Sequence, residues 1–466
     1  MFRLNKKMST NFSISNEMER LTTTGRSTIP LSILSQTPLQ RAGSLFFDSL
    51  SLKLYYSDGL QWVEVITRAT RCSELYVSDT GSDDNDGLTW GTSKATFVNA
   101  IATAIDGTTI YVGPGTYIAG QEILISKAVK LVGYGDKDDI ILTRDNTDPD
   151  YRILYLNHAC CVVENFTIHN GIASSDDIDE GGNVRIEENA TLQDCVIFGG
   201  TAFQYGGNVY IGNGNCYRCI VYGNEPFISP TNVGGGIYIR NSGTVDSCLV
   251  QCNTAGAGGG ISVAINAICD KAVISNCTMR NNTATGFLGV FGGGFAGAQK
   301  GYMQNCIVWE NSPNDAAYVQ YSAPKAAQFK YNNINVQQVV AGAAPSGPGN
   351  ISSDPLFEVS PIVCGSAPIS SESNLQIGSP SIGTGNGALN NFDVNKNLWH
   401  SRTSPDMGAL AFLRSNSFLS SFTVATLPSP SVAGAMIYVS DETGGAVPAF
   451  SDGSDWRRVT DRVIVS

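Results

Sequence analysis

Between Phe166 and Asn333 apolar and polar positions alternate in short runs, break at Gly, Asn or Ser, and begin again at nearly fixed intervals. One phrase returns as Asn165-Phe166-Thr167-Ile168, Asp194-Cys195-Val196-Ile197, Arg218-Cys219-Ile220-Val221, Ser247-Cys248-Leu249-Val250, Asn276-Cys277-Thr278-Met279 and Asn305-Cys306-Ile307-Val308. The steps from Phe166 are 29, 24, 29, 29 and 29 residues, and Asn333 lies a further 27 on. A second phrase keeps the same beat, with glycines leading into an apolar alternation at Gly181-Gly182, Gly206-Gly207, Gly234-Gly235, Gly258-Gly259 and Gly292-Gly293. Repeats of this length signal stacked units, and no unit contains a helix-length amphipathic run. Each unit is therefore strands and turns, about three short strands per unit, which is one coil of a right-handed parallel β-helix. Coils stack about 4.8 Å apart, so like lies over like. Cys195, Cys219, Cys248, Cys277 and Cys306 then form a ladder in a narrow core. Asn224, Asn253, Asn282 and Asn311, each five residues after one of the last four of these cysteines, form another that bonds sideways and holds a turn conformation.

The predicted class is all-β, with the solenoid over 75–413, a helical cap near its start and a small β-module at each end. Residues 1–40 are polar and weakly patterned and read as an arm. The modules span 41–70 and 433–466; both carry Ser-Asp-Gly-x-x-Trp, at Ser57 to Trp62 and Ser451 to Trp456, so one unit is used twice. A helix is predicted over about 95–105, with Phe97, Ile101, Ala104 and Ile105 on one face and Gly107 as its stop. It would cover the open backbone of the first coil. Residues 312–375 are rich in Ala, Ser, Pro and Asn and predict irregular coils, and 414–432 reads as a Ser/Pro linker.

Composition narrows the function. Fifty glycines and 15% charged residues suit tight coils, and the net charge of −12 excludes a protein that tracks nucleic-acid phosphates. Twelve cysteines invite disulfides, but five at one repeated position predict reduced core thiols. Cys160-Cys161 and the pair Cys216, Cys219 leave a metal or redox role open, although neither has a partner set at ligand spacing. The N-terminus shows no apolar signal-peptide core and no 18 apolar residues run together, so a soluble chain without signal peptide or membrane insertion is expected.

Several residues are candidates for chemistry or binding. The loop with Asp79, Asp83, Asp84, Asn85 and Asp86 has the oxygens for calcium, but Lys94 stands where a distal carboxylate is needed, and a solvated turn-rich loop is the competing reading. If the cysteines point inward, the residues three further on face out: His169, Phe198, Tyr222, Gln251, Arg280 and Trp309, flat and polar groups suited to sugars or a partner. The residues one further on, including Val196, Ile220, Leu249 and Ile307, form an apolar stripe that marks packing against another chain, a glycan groove, or cover by the chain's own loops. A glycosidase needs two spaced carboxyls, and the nearest acids are Asp176, Asp177 and Glu180, with Asp179, Glu187, Glu188 and Asp194 nearby. None recurs as a paired column. His158, His169 and His400 are the only histidines, and an outward polar role outweighs a general base for His169. Of the sequons at Asn165, Asn189, Asn276 and Asn281, three lie in or beside the strand columns, so their spacing follows from the repeat and implies no modification.

The order of strand, Asp/Asn/Gly loop, helix and the run Gly107 to Tyr117 resembles the start of pectate-lyase-like parallel β-helix proteins. Ser379 to Gly385 and Pro405 to Ala409 resemble that superfamily's closing motifs. The resemblance implies the fold; the motif sets of pectate lyases and polygalacturonases are not found, so no activity follows. The Leu54-Tyr55-Tyr56 strand leading into Ser57-Asp58-Gly59 and Trp62 resembles short segments of phage and large-virus tail-fibre proteins. Together these imply a non-enzymatic virion component, an external capsid decoration or a tail fibre or spike, assembled in host cytoplasm. Its partners would be other virion proteins and a host-surface glycan, and the resemblance implies a homotrimer. The competing readings are a tailspike-type depolymerase, acting as a polysaccharide lyase or glycoside hydrolase, and a secreted adhesin.

Overall fold

The computed structural model describes residues 21–22, 28–29, 31–34, 45–48, 53–57, 60–64, 74–147, 149–174, 179–226, 232–264, 272–286, 292–297, 302–313, 315–318, 329–335, 339–340, 347–359, 362, 364, 370–399, 401, 403–412, 421–430, 436–443, 446–459 and 463–465. The chain divides into one unit of residues 1–74 with 106–109 and a second of 75–105 with 110–466.

In the second unit the repeat winds into a parallel β-helix with three strands per coil. One face is a nine-stranded sheet that takes its strands in chain order, from Gly115–Ile118 through Thr167–His169 and Leu249–Gln251 to Asn333–Ile334. Its register sets like over like: Ile197 on Val221, Val221 on Val250, Val250 on Met279, Met279 on Val308. The other two faces belong to one continuous seventeen-stranded sheet, because Val209–Tyr217 and Ile237–Asp246 run through the corner between them. Alternate residues of the described strands in these two sheets enter an apolar core, as a period of two requires.

The cysteine column stands as expected. Cys195, Cys219, Cys248, Cys277 and Cys306 are buried and unbridged. Each thiol donates to the carbonyl two residues back, at 3.1 to 3.4 Å. Burial holds the Cys195 and Cys277 thiols well above the ordinary range, so they are inert. One pair departs from the prediction of reduced thiols: Cys252 and Cys364 form a disulfide across 112 residues. Neither belongs to the repeated position. Cys252 lies at a coil corner and Cys364 in a segment that returns to it.

The asparagine ladder is also real, with one substitution of members. Amide donates to carbonyl oxygen from Asn253 to Asn282 at 3.1 Å, from Asn282 to Asn311 at 3.0 Å, and from Asn311 to the Asp315 carboxylate at 2.8 Å. Upstream the ladder continues through Asn208 and Asn183 rather than Asn224. Asn208 stands level with Gly236, just before the paired Val209 and Ile237, and its amide reaches Asn253, while the Asn224 side chain bonds the backbone of Thr254. The turn conformation assigned to this column belongs to others. The left-handed residues are those just before the repeat's Phe or Cys, namely Asn165, Asp194, Arg218, Ser247, Asn276 and Asn305, together with a second corner that includes Cys252, Asn281 and Glu310. In the glycine phrase, a Cβ on Gly235 would lie 2.5 Å from Thr254 O and 2.7 Å from Gly259 O, so the next coil leaves room for nothing larger.

The helix α1 runs from Phe97 to Thr103, with Thr96 as N-cap accepting from the Asn99 amide. Phe97, Ala100, Ile101 and Ala104 are buried, and Phe97 meets Tyr117 edge-on at 5.1 Å. Ile105, placed on the same face by the sequence, lies past the helix end and is exposed. The Lys127 ammonium stops the helix by bonding the carbonyls of Ile101, Ala102 and Ala104.

The terminal modules share one topology. In the first unit, Leu31–Leu34 pairs parallel with Leu45–Asp48, followed by antiparallel Lys53–Ser57 and Trp62–Glu64. In the second, Ser421–Phe422 pairs parallel with Met436–Val439, followed by antiparallel Val447–Ser451 and Trp456–Arg458. Ser57 opposes Trp62 just as Ser451 opposes Trp456. Each module therefore begins earlier than its motif: the first takes a strand from the stretch read as an arm, the second from the stretch read as a linker. Apolar Phe422, Val424 and Leu427 pack on the core of the second, and Trp456 Nε1 donates to Pro428 O at 2.7 Å.

Candidate functional site

The predicted outward stripe lies on the nine-stranded sheet, where the register stacks His169, Phe198, Tyr222, Gln251, Arg280 and Trp309 in one column. Most of it is not a free surface. After the last coil the chain doubles back, and described residues between 351 and 412 cover the column from Tyr222 downward. Ile220, Tyr222 and Leu249 pack against Val394, Ala409 and Leu410; Ile307 and Trp309 pack with Phe357, Leu375 and Met407. The packing stripe Val196, Ile220, Leu249 and Ile307 is thus satisfied within the chain, correcting the expectation that it meets another subunit. The sequence concealed this because the covering residues carry no repeat.

Arg280 shows how complete the cover is. It is 0% exposed, paired with Glu310 at 2.6 Å, and it donates to the backbone carbonyls of Glu372 and Val359 while lying 4.0 Å from the centre of the Phe357 ring. Gln251 is likewise buried, beside Ser373. Thr278, from the neighbouring column, accepts from the Ala409 amide at 2.9 Å. These side chains anchor the return segment, and neither Gln251 nor Arg280 is available to a glycan. The Cys252–Cys364 bridge ties the same segment to the coil corner.

Above the cover the column stays partly open. His169 and Phe198 stack at 4.7 Å and Phe198 and Tyr222 at 4.9 Å, nearly parallel in both cases. Burial lowers the His169 pKa, opposed by a hydrogen bond with Asn170, and its Nδ1 lies 3.3 Å from the Thr143 hydroxyl. It is a neutral ring in a stack. His158 accepts at Nδ1 from the Cys160 amide, and His400 lies outside the described residues.

The acids divide in the same way. Asp176 and Asp177 lie outside the described residues. Glu180 is buried and paired with Arg185 at 3.0 Å and Arg240 at 2.8 Å. Arg185 also pairs with Glu187, and its guanidinium sits 5.0 and 5.3 Å from the ring centres of Tyr155 and Tyr210. Both carboxylate oxygens are thus engaged by guanidiniums. Asp194 is spent on Arg218 and Lys396. This Tyr-Arg-Tyr column escaped the sequence reading, although its signal is present in Leu154-Tyr155-Leu156, Val184-Arg185-Ile186 and Val209-Tyr210-Ile211, where one outward residue stands between two inward ones.

In the proposed calcium loop the oxygens turn inward. Asp83 accepts from the Ala95 and Thr96 amides and the Thr96 hydroxyl; Asp86 accepts from the Leu88 amide and the Thr92 hydroxyl, which lowers its pKa. The Lys94 ammonium bonds the carbonyls of Asp83 and Asn85, the place a cation would take. Asp79 and Asp84 do not join them: among the described residues no three acidic, His or Cys side chains gather in metal-binding geometry. Trp62 is half-buried and Trp456 buried, each at the same register of its module. No helix among the described residues is long and apolar enough to cross a membrane.

No protein-family model matches the chain, and no curated protein matches it in sequence. Solved structures similar to it include the pectate lyase Pel9A, with 14% identity over 72% of this chain and 96% of that one at a TM-score of 0.41. A rhamnogalacturonan lyase shares 14% identity over 61% and 90% at 0.34, and ORF18 of Geobacillus virus E2 shares 13% over 69% and 72% at 0.32. The strand pairings themselves establish a parallel β-helix, and likenesses of this degree add nothing about activity.

Proposed function

We propose that the chain is a structural component of a virus particle, a β-helix protein with one β-module type before and after the coils in the sequence. The observation that carries this reading is the repeated module: two four-stranded sheets of the same topology, with Ser57 opposite Trp62 and Ser451 opposite Trp456, placed before and after the coils. A module used twice serves two attachments of one kind. The resemblance of its Ser-Asp-Gly-x-x-Trp turn to tail-fibre segments supports a particle as the setting, and other virion proteins as the partners. A homotrimer and contact with a host-surface glycan remain part of the proposal. The depolymerase reading has less support, since Glu180 is neutralised by arginines and the outward stripe is mostly covered. Mass spectrometry of purified particles tests the assignment: the chain should copurify in fixed stoichiometry. Release of reducing sugar from capsule or cell-wall glycan by the purified chain would overturn the non-enzymatic reading.

A further inference from the structure

One coil corner takes the residue four after each repeated Phe or Cys: Asn170, Gly199, Gly223, Cys252, Asn281 and Glu310, all left-handed at φ between 51° and 67°. Glycine and asparagine suit that conformation, and a cysteine has no packing reason to hold it. Cys252 is no member of the apolar core. Its sulfur goes instead to Cys364 on the return segment, which is exposed.

The bond closes over a small set of contacts. Arg280 donates to the carbonyls of Val359 and Glu372, Asn281 Nδ2 donates to Ile362 O at 3.2 Å, and the Ser373 hydroxyl meets Gln251 Oε1 at 3.4 Å. Farther along, the return segment is held by other groups: Asn390 on Asp246, Gly408 N on Asn305 O at 2.7 Å and Ala409 N on the Thr278 hydroxyl. Breaking the sulfur bond therefore loosens the first set and leaves the second standing.

Access decides which sulfurs react. Cys195, Cys219, Cys248, Cys277 and Cys306 are buried, and Cys160 is the one exposed free thiol among the described residues, so a thiol in solution meets the bridge before the core. Asn281 Nδ2 stands 3.1 Å from Cys364 Sγ and 3.9 Å from Cys252 Sγ, a donor placed to stabilise charge on a departing sulfur.

We infer that the Cys252–Cys364 bridge is a redox switch of the native chain: an oxidising medium fixes Val359, Ile362 and Glu372 over the Arg280 anchor, and a thiol-rich medium releases them. A small thiolate attacks Cys364 Sγ, forming a mixed disulfide and expelling the Cys252 thiolate. A second thiolate attacks the sulfur of the first reagent, forming the reagent's own disulfide and expelling the Cys364 thiolate. Two electrons pass from the reagent thiols to the bridge, and their two protons end on Cys252 and Cys364. The reverse exchange with the reagent disulfide closes the bond again. The switch requires neither a particle nor a glycan, so it stands apart from the assignment above.

The test holds the native full chain in glutathione buffers from oxidised to reduced, with alkylation of free thiols and amide hydrogen exchange read in parallel by mass spectrometry. Cys252 and Cys364 should become free together while the five core cysteines stay unlabelled. Exchange in peptides carrying Val359, Ile362 and Glu372 should quicken about tenfold or more on reduction, strands carrying Ile197 and Val250 should stay protected, and oxidised glutathione should restore the slow pattern. Replacing both cysteines by Ser should give the fast pattern in either buffer; if that variant misfolds, reoxidation of the parent carries the comparison. A bond that yields only when the core thiols are labelled, exchange at Val359, Ile362 and Glu372 unchanged by reduction, or a pair that fails to rejoin in oxidised glutathione would each overturn the inference.

Discussion

Asp315 ends the asparagine ladder, and its replacement by Asn gives the sharpest test of the core. The carboxylate is buried; its Oδ1 accepts from both the backbone and side-chain amides of Asn311 at 2.8 Å. Burial nevertheless raises its pKa from 3.8 to about 6, with Glu310 adding to the rise and the bonds from Asn311 and Asn335 opposing it. The folded protein therefore holds this proton more tightly than the unfolded chain, and the stability it contributes is complete below about pH 4 and lost as pH rises through about 6. A shift of about two units corresponds to about 3 kcal/mol. Asp315→Asn keeps an acceptor for Asn311 and removes the charge, and the Asn335 amide turns to present its oxygen. Unfolding measured from about pH 4 to about pH 7.5 should show the variant equal to the parent at the acid end and more stable at the neutral end by up to about 3 kcal/mol. With an unfolding entropy of about 2.1 cal/mol/K per residue, that is roughly 4 °C in a unit of this length. A difference that does not change with pH, or a variant less stable at neutral pH, would refute the reasoning.

Further outcomes follow from the return segment and the coil corners. Arg280→Ala removes the bonds to Glu310 and to two carbonyls of the return segment and should cost about 3–5 kcal/mol, read as new protease cleavage within 351–412. Replacing Cys252 and Cys364 by Ser opens a 112-residue loop and should cost about 4–5 kcal/mol, checked by denaturant unfolding against the oxidised parent. Alkylation of the native protein should spare Cys195, Cys219, Cys248, Cys277 and Cys306 until it unfolds; rapid labelling of this column would contradict its burial. Glu188→Gly relieves an exposed left-handed residue at φ 53° and should stabilise the chain by about 0.5–1 kcal/mol in thermal melts.

The coils were legible because a stacked fold writes each contact repeatedly. Cys195 alone says little, but five cysteines at one phase, with Ile197, Val221, Val250, Met279 and Val308 in step, leave one arrangement. The return segment was illegible for the converse reason. Val394, Ala409, Leu410, Met407 and Phe357 each meet the sheet once, so no periodicity announces them, and the stripe they cover looked like a site for another molecule. The ladder members changed where the second phrase carries Asn183 and Asn208 in place of the third glycine of later coils, so the amide that reaches Asn253 comes from the glycine corner and not from five residues after a cysteine.

Every described amide in the ladder from Asn183 to Asn311 hands its hydrogen onward in the same direction, and the run finishes at a group that only receives. Such a sequence has a head and a tail, much like a queue that must be closed by someone facing the other way. Adding or removing a whole coil ahead of residue 315 should thus leave the run intact, provided that position still offers an oxygen to Asn311.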